Sequence, residues 1–381
     1  MVAAFDRPIA PAGTAPDDGR GVTIAVDAMG GDHGATEVVP GALDYARANP
    51  RDRLILVGDE STIRRLGGEL PSNVAVRHST EVVDMDDHDP ALALRTKRDS
   101  SILVATDLVK RGEADAVITA GHTGAGMAAA VLRLGRLPGV DRPALAVQLV
   151  TDAGHLVLLD IGANPDSSPE NLAQYARMGA IFSERVLGVA RPRVALLSLG
   201  EEKGKGDLRI QQATALLDLT DLRFVGNVEG KDLTKNLADV VVTDAVAGNV
   251  VIKFFEGLST YIFDLFRAEF RRSIRGRLAY LFLRPGISRI RDVFDYEKVG
   301  GSPLLGVKGT VIITHGRARR RMIGYGVAVA ATMARTRVPE LIGEALHPPS
   351  NGAVSPGDGR LAVAGAPEGE ETPVDALESR P

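Results

Sequence analysis

The alternation of short apolar runs with helical stretches constrains this chain more than any other feature. Apolar, β-rich runs fall at 22–26, 54–57, 116–119, 156–159, 194–199, 240–243 and 311–314. Helical patterns fall at 35–48, 100–111, 123–135, 169–187, 207–218 and 316–336. The runs are too continuously apolar to leave one face wet. Strands of that kind joined by helical crossovers predict an α/β fold, a mainly parallel sheet sandwiched by helices. No fixed-period repeat interrupts the pattern.

In such sheets ligands gather beyond the carboxyl ends of the strands. Small and polar residues gather there in this chain: DAMGGDHG at 27–34, AGHTGAG at 120–126, DIGANPD at 160–166, GEEKGKG at 200–206 and DAVAGN at 244–249. Five glycine-bearing turns on one rim predict a single cleft. Glycine lets backbone N–H groups approach a ligand closely, and a helix starting just after adds partial positive charge. Gly30 and Gly31, between Asp27 and Asp32, form one turn suited to phosphate; Gly121, Thr123 and Gly124 form another. Any one of them alone reads more readily as a plain strand-to-helix connection.

Other signatures are missing. There is no Walker A sequence, no G-x-S-x-G elbow and no H-E-x-x-H, and 120–126 departs from the dinucleotide fingerprint at Thr123. The run DMDDHD at 84–89 lacks the glycine and distal glutamate of a calcium loop, so it reads as a solvated acidic loop, and no metal site is predicted. TKRDSS at 96–101 has two readings. Asp99 or Ser100 is the N-cap of the following helix, or Lys97 and Arg98 neutralise phosphate while Ser100 or Ser101 donates a hydrogen bond. His33 and His122, inside glycine turns, are local hydrogen-bonding residues or proton donors. Asn164, Lys203, Asn227 and Asn249 are turn formers or donors for a developing oxyanion.

Composition narrows the partners. A formal net charge of -4 gives no whole-chain reason to expect nucleic acid. Cysteine is absent, which removes disulfides, zinc thiolates and a cysteinyl nucleophile. Residues 1–21 read as a disordered lead-in without the features of a signal peptide. Residues 347–381, with six prolines and six acidic side chains, are too poor in apolar surface to order themselves and read as a solvated tail. The catalytic domain is therefore expected at 22–346. No apolar stretch is long enough to span a membrane, and a cytoplasmic enzyme is expected.

DAMGGD, TKRDSS, AGHTGA, DIGAN, EEKGKG, FVGNVEG, TDAVAGN, GGSPLLGVKG and THG follow one another from residue 27 to 316. In that order they resemble the bacterial phosphate acyltransferases, which convert acyl-acyl-carrier-protein and phosphate into acyl phosphate. The resemblance covers the folded body, and the set is specific, above all in DAMGGD and GGSPLLGVKG. It implies a fold like isopropylmalate dehydrogenases and phosphotransacetylases, a homodimer, acyl carrier protein as partner and a role in phospholipid synthesis. Two positions depart from the family. His122 stands where asparagine is usual, and 201–206 reads EEKGKG, where Lys203 is favoured for the family's lysine role.

The chemistry fits these residue types. Phosphate is already largely dianionic near neutral pH, and a thiolate leaves readily, with a conjugate acid of pKa about 8.5. Positioning, charge neutralisation and oxyanion stabilisation remain, and these require neither metal nor cofactor. Phosphate held by Gly30–Gly31, His122–Gly124, Lys97 and Arg98 would attack the thioester directly. Lys203 or Asn227 would face the oxyanion, and His33 or His122 would protonate the thiolate.

One segment stands outside this scheme. Residues 246–294 read as a long amphipathic helical stretch with a break at Pro285–Gly286. Eight arginines and a single acid, Glu269, lie between Arg267 and Arg291. Three roles compete: a dimer-forming helix pair, a membrane-surface hairpin on the inner face of the cell membrane beside the downstream membrane acyltransferase, and a dock for the acidic carrier protein. Arg271, Arg272, Arg275 and Phe282 are the candidate contacts. The rival functions are a short-chain phosphotransacetylase and an isopropylmalate dehydrogenase-like oxidoreductase.

Overall fold

The structure, a computed structural model, describes residues 19–87, 89–151, 154–293 and 296–347. Nearly all of the expected lead-in and tail, and His88 of the acidic run, lie outside them. Elements follow in the order β1 (Thr23–Asp27), α1 (Ala35–Ala48), β2 (Arg53–Gly58), α2 (Glu60–Gly67), β3 (Val74–His78), α3 (Pro90–Thr96), α4 (Ser101–Lys110), β4 (Ala116–Thr119), α5 (Thr123–Arg133), β5 (Ala144–Thr151) and β6 (Gly154–Leu159). Then come α6 (Pro169–Leu187), β7 (Arg193–Leu197), α7 (Leu208–Leu217), β8 (Arg223–Val228), β9 (Val240–Val242), α8 (Ala245–Arg271), α9 (Ile274–Val293), β10 (Ser302–Leu305), β11 (Thr310–Ile313), α10 (Arg320–Arg335) and α11 (Val338–Leu346).

Eleven strands form one sheet in the order β3-β2-β1-β4-β11-β10-β5-β6-β9-β7-β8. Side-chain alternation explains why helices cover both faces. Ile24 and Val26 of β1 join Val38 and Val39 of α1 and Ile323 of α10, whereas Ala25 between them joins Ala105 and Leu108 of α4. In the other half, Val194 and Leu196 pack with Ile210 and Ala213 of α7, and Ala195 faces Val251 and Phe255 of α8. Strands buried on both sides have no polar alternation to display, which is the apolar continuity visible in the sequence.

Strand direction corrects one expectation. β3, β2, β1, β4 and β11 are mutually parallel, as are β6, β9, β7 and β8. Between the two sets, β10 pairs antiparallel with both β11 and β5, and β5 antiparallel with β6. An odd number of reversals makes the two sets run in opposite directions. The five glycine turns therefore divide into two groups instead of lining one rim. The strands responsible, β5 and β10, were missed because Gln148 interrupts the apolar run of the eight-residue β5 and Pro303 sits within the four-residue β10.

The arginine-rich segment is two helices, as expected, but the break lies at Arg272–Ser273 and Pro285 sits inside α9. The Ser273 hydroxyl accepts the N–H of Gly276 at 2.9 Å, an N-cap that starts a new helix there. Phe270 of α8 packs on Tyr280 of α9, ring centroids 5.5 Å apart. Among the described residues no helix is long and apolar enough to cross a membrane. Just before β1, Arg20 is tied to Asp115 at 3.2 Å and its carbonyl accepts from Arg335.

Candidate functional site

The first group of turns follows β1, β4 and β11, and Asp27 is its centre. Asp27 is 2% exposed. Its Oδ2 accepts from Thr119 Oγ1 at 2.7 Å, and Thr119 Oγ1 in turn accepts from the N–H of Gly121 at 2.9 Å. Its Oδ1 accepts from the N–H of Met29 at 3.3 Å. One carboxyl thus staples the turn after β1 to the turn after β4. Burial raises the Asp27 pKa above the usual carboxylate range, against the opposing hydrogen bonds of Ser101 and Thr119.

Glycine is required where these turns meet. A Cβ on Gly30 would lie 2.7 Å from the Gly121 nitrogen and 2.8 Å from Asp27 Oδ2. Gly31 has φ +96°, and its Cβ would stand 2.9 Å from the Ala120 carbonyl and 3.1 Å from that of Gly316. The N–H of Asp32 completes the lock by donating to Gly316 O at 2.8 Å. α5 begins in this cluster. His122 is its N-cap and takes the Ala125 N–H at 3.4 Å. The amides of Thr123 and Gly124, in the first turn, have no intrahelical partner by helix geometry. A small pocket of about 10 Å³ lies beside the start of α5, lined by Asp27, Ser101, Thr119, Gly121 and His122 together with the apolar Val82, Val83, Ile102 and Ala125.

The 96–101 segment borders this pocket. Asp99 does not cap α4; its carboxylate accepts from Thr80 N and Oγ1 at 2.8 and 2.7 Å. Ser100 occupies the N-cap position without a side-chain cap bond, and its buried Oγ has no hydrogen-bond partner among the described residues. Ser101, also buried, reaches Asp27. Lys97 Nζ contacts Asp84 Oδ2 at 2.6 Å and Asp87 Oδ2 at 3.1 Å, which raises its pKa. Arg98 is exposed, its Nε donating to Arg95 O at 3.3 Å. His33 is half-buried, and its carbonyl accepts from Thr36 Oγ1 at 2.5 Å.

The second group follows β6, β7 and β9 and is held by side chains. Buried Asp160 accepts the N–H groups of Leu145, Gly162, Ala163 and Asn164 at 2.7–3.1 Å. Burial nonetheless leaves its pKa raised. Asn164 spends its side-chain N–H groups on Pro143 O, Asp160 Oδ2 and Tyr175 Oη at 2.5, 3.2 and 2.9 Å; it shapes the turn. Gly248 of α8 abuts this turn, where a Cβ would collide with Asp160 O. Asp244 caps α8 through Val246 N and Ala247 N and receives Arg209 of α7 at 2.7 Å. Asn227 Nδ2 lies 3.4–3.5 Å from the carbonyls of Lys205 and Glu202, touching the 200–206 turn. Lys203 is turned outward, 82% exposed, to Asp218 at 3.3 Å. Asn249 is half-buried in the second turn of α8.

Asp27, Gly30, Gly31, Asp32, Ser101, Gly121, His122, Thr123 and Gly124 thus come together, with Lys97, Arg98 and Ser100 at their border. Asn164, Lys203, Asn227 and Asn249 belong to the other group. Sequence reasoning missed Thr119 and the Arg209–Asp244 pair. A threonine ending a strand before a glycine turn was a signal for the first; nothing local pairs residues 35 positions apart.

With this geometry in place, likeness to known proteins becomes informative. Residues 22–341 match the family described as "Fatty acid synthesis protein". The chain belongs to this family. It is 47% identical over 310 residues to the phosphate acyltransferase of Desulfitobacterium hafniense (strain DSM 10664 / DCB-2), covering 81% of this chain and 92% of the relative. It is 45% identical over 317 residues to that of Myxococcus xanthus (strain DK1622), covering 82% and 90%. A phosphotransacetylase from Streptococcus pyogenes superposes with TM-score 0.55 at 18% identity, over 82% of this chain and 94% of that one. The EutD phosphotransacetylase of Staphylococcus aureus gives 0.52 at 15%, over 82% and 94%. These likenesses establish the fold and agree with the expected phosphotransacetylase-like architecture.

Proposed function

We propose that this chain moves a fatty acyl group from an acyl-carrier-protein thioester onto inorganic phosphate, the first step toward phosphatidic acid in phospholipid synthesis. The observation that carries the reading is the first group of turns. Three backbone loops converge at the N-terminus of α5, in a member of a family whose relatives are named phosphate acyltransferases. Free N–H donors at a helix N-terminus suit a small tetrahedral anion, and Lys97 and Arg98 supply charge.

In the reaction, a phosphate oxygen attacks the thioester carbonyl carbon. The tetrahedral intermediate expels the thiolate as the C–S bond breaks, and the phosphate's proton ends on the carrier thiol. Gly30, Gly31, Gly121, Thr123 and Gly124 position phosphate, with Ser100 and Ser101 donating. Asn227, with the 200–206 turn and its Lys203, serves the thioester side, and His122 or His33 relays the proton. The second group of turns carries α8 through Asp244 and Arg209, so the thioester side is continuous with the helical hairpin. α8 exposes Val246, Val250, Phe254, Leu258, Ile262 and Leu265 at four-residue spacing, with one step of three. This stripe suits a homodimer contact. Arg271, Arg272, Arg275 and 82%-exposed Phe282 suit an anionic membrane surface, which supports a peripheral location on the cytoplasmic face of the membrane.

The test is turnover with acyl carrier protein, acyl-CoA and NAD as alternative co-substrates. Acyl phosphate formed from the carrier-protein thioester and phosphate supports the reading. NAD reduction, or a strict preference for short acyl-CoA, contradicts it. An acyl-serine or acyl-lysine enzyme trapped in turnover overturns the direct route.

A further inference from the structure

The acidic run at 84–89 has no part in the reaction as written, yet it lies against the proposed phosphate site. Asp84 and Asp87 both engage Lys97, at 2.6 and 3.1 Å. A turn within the run holds the two carboxylates together: the Asp84 N–H donates to Asp87 Oδ2 at 3.0 Å, and the Asp87 N–H to Asp84 O at 3.3 Å. The run and the start of α3 also touch the turns themselves. Met85 Cε lies 2.5 Å from where a Gly316 Cβ would stand, and Pro90 Cγ lies 3.1 Å from the Cβ position of Gly124. His122 adds to the field that lowers the Asp87 pKa, after Lys97 and the Asp84 N–H.

Two anionic groups thus hold the cation assigned to phosphate, beside the turns assigned to phosphate. Their chemistry is that of the substrate: oxygen anions in hydrogen-bond reach of one ammonium. With both carboxylates in place, two of the three ammonium donors are taken and two negative charges face an incoming phosphate dianion, which has to compete with them for Lys97.

We infer that Asp84 and Asp87 set the enzyme's apparent affinity for phosphate by competing with it for Lys97. The inference rests on the placement of phosphate proposed above. Ion pairs this accessible to solvent are individually weak, so removing both shifts the phosphate KM by roughly three- to tenfold and does not switch the enzyme on or off.

The experiment compares Asp84→Asn/Asp87→Asn, Lys97→Ala and the triple variant in the full chain. The thioester is acyl carrier protein, the varied substrate is inorganic phosphate, and thermal unfolding checks that each variant is folded. The expected result is a lower phosphate KM in the double variant, with kcat and the thioester KM unchanged. Lys97→Ala should raise the phosphate KM, and the gain should vanish in the triple variant. A double variant with an unchanged or higher phosphate KM overturns the inference, since the carboxylates then do nothing to phosphate or help to aim Lys97. A gain that persists without Lys97 overturns it too. If Lys97→Ala alone leaves the phosphate KM unchanged, the phosphate placement itself has failed, whatever the double variant does.

Discussion

The two groups of turns are built by different means. The group after β1, β4 and β11 is closed backbone against backbone: Gly30 on Gly121, Gly31 on Ala120 and Gly316, with Asp27 as the staple. The group after β6, β7 and β9 hangs on side chains, with Asp160 taking four backbone N–H groups and Asp244 joining α7 to α8 through Arg209. Bare backbone leaves N–H donors close to a small anion and admits little else. Side-chain construction leaves room to vary, as suits a wall that meets a large thioester donor. The rigid group should therefore fail through steric intrusion and the other through loss of polar partners.

The largest effect expected is at Asp160. Asp160→Ala orphans the buried Leu145 N–H and takes the acceptor from three partly buried donors, and should cost about 3 kcal/mol, at 1–3 kcal/mol for each donor left unpaired. Urea unfolding reads this directly, and a loss no greater than that of Asp27→Ala would erase the contrast. Next comes Gly30→Ala, where backbone on the far side cannot yield. About 1–3 kcal/mol of stability should be lost, together with most activity. Gly230→Ala, where a Cβ meets nothing within 4 Å, should stay within about 0.5 kcal/mol. Equal losses at the two glycines would break the steric argument.

Arg209→Ala should cost about 1 kcal/mol and raise the KM for the carrier-protein thioester while sparing that for phosphate. The reverse pattern would exchange the roles of the two groups. The smallest effect is a slope in pH. Because burial raises the folded pKa of Asp27, folding favours its neutral form. Its contribution is complete below the ordinary carboxylate range and is lost as pH rises through the raised value. The parent should therefore lose stability relative to Asp27→Asn across that window and match it at lower pH. A flat difference would mean that Asp27 ionises normally.

Much of this was legible in the sequence, for identifiable reasons. Six helices and seven strands of the sheet announce themselves because burial on both faces writes continuous apolar runs. DAMGGD and AGHTGA announce a site because only glycine fits where a Cβ on Gly30 would stand 2.7 Å from the Gly121 nitrogen. The division of the turns was not legible. It depends on the direction of β5 and β10, and a run such as SPLL at 302–305 carries no sign of which neighbour it will pair with. Asn164 and Lys203 were read by residue type as turn formers or donors; only the fold reveals that Asn164 shapes its turn through Pro143, Asp160 and Tyr175 and that Lys203 faces Asp218. The break in the hairpin was misplaced for the opposite reason. Pro285 is a loud local signal, but the Ser273 cap restarts the helix earlier, and α9 accommodates the proline.

The central claim is that the backbone-built group binds phosphate. Its most direct test is the phosphate KM of Lys97→Ala/Arg98→Ala at saturating acyl-carrier-protein thioester. The account predicts a rise of at least about tenfold, the equivalent of roughly 1.4 kcal/mol, with the thioester KM unchanged. An unchanged phosphate KM, or a rise confined to the thioester, would contradict it.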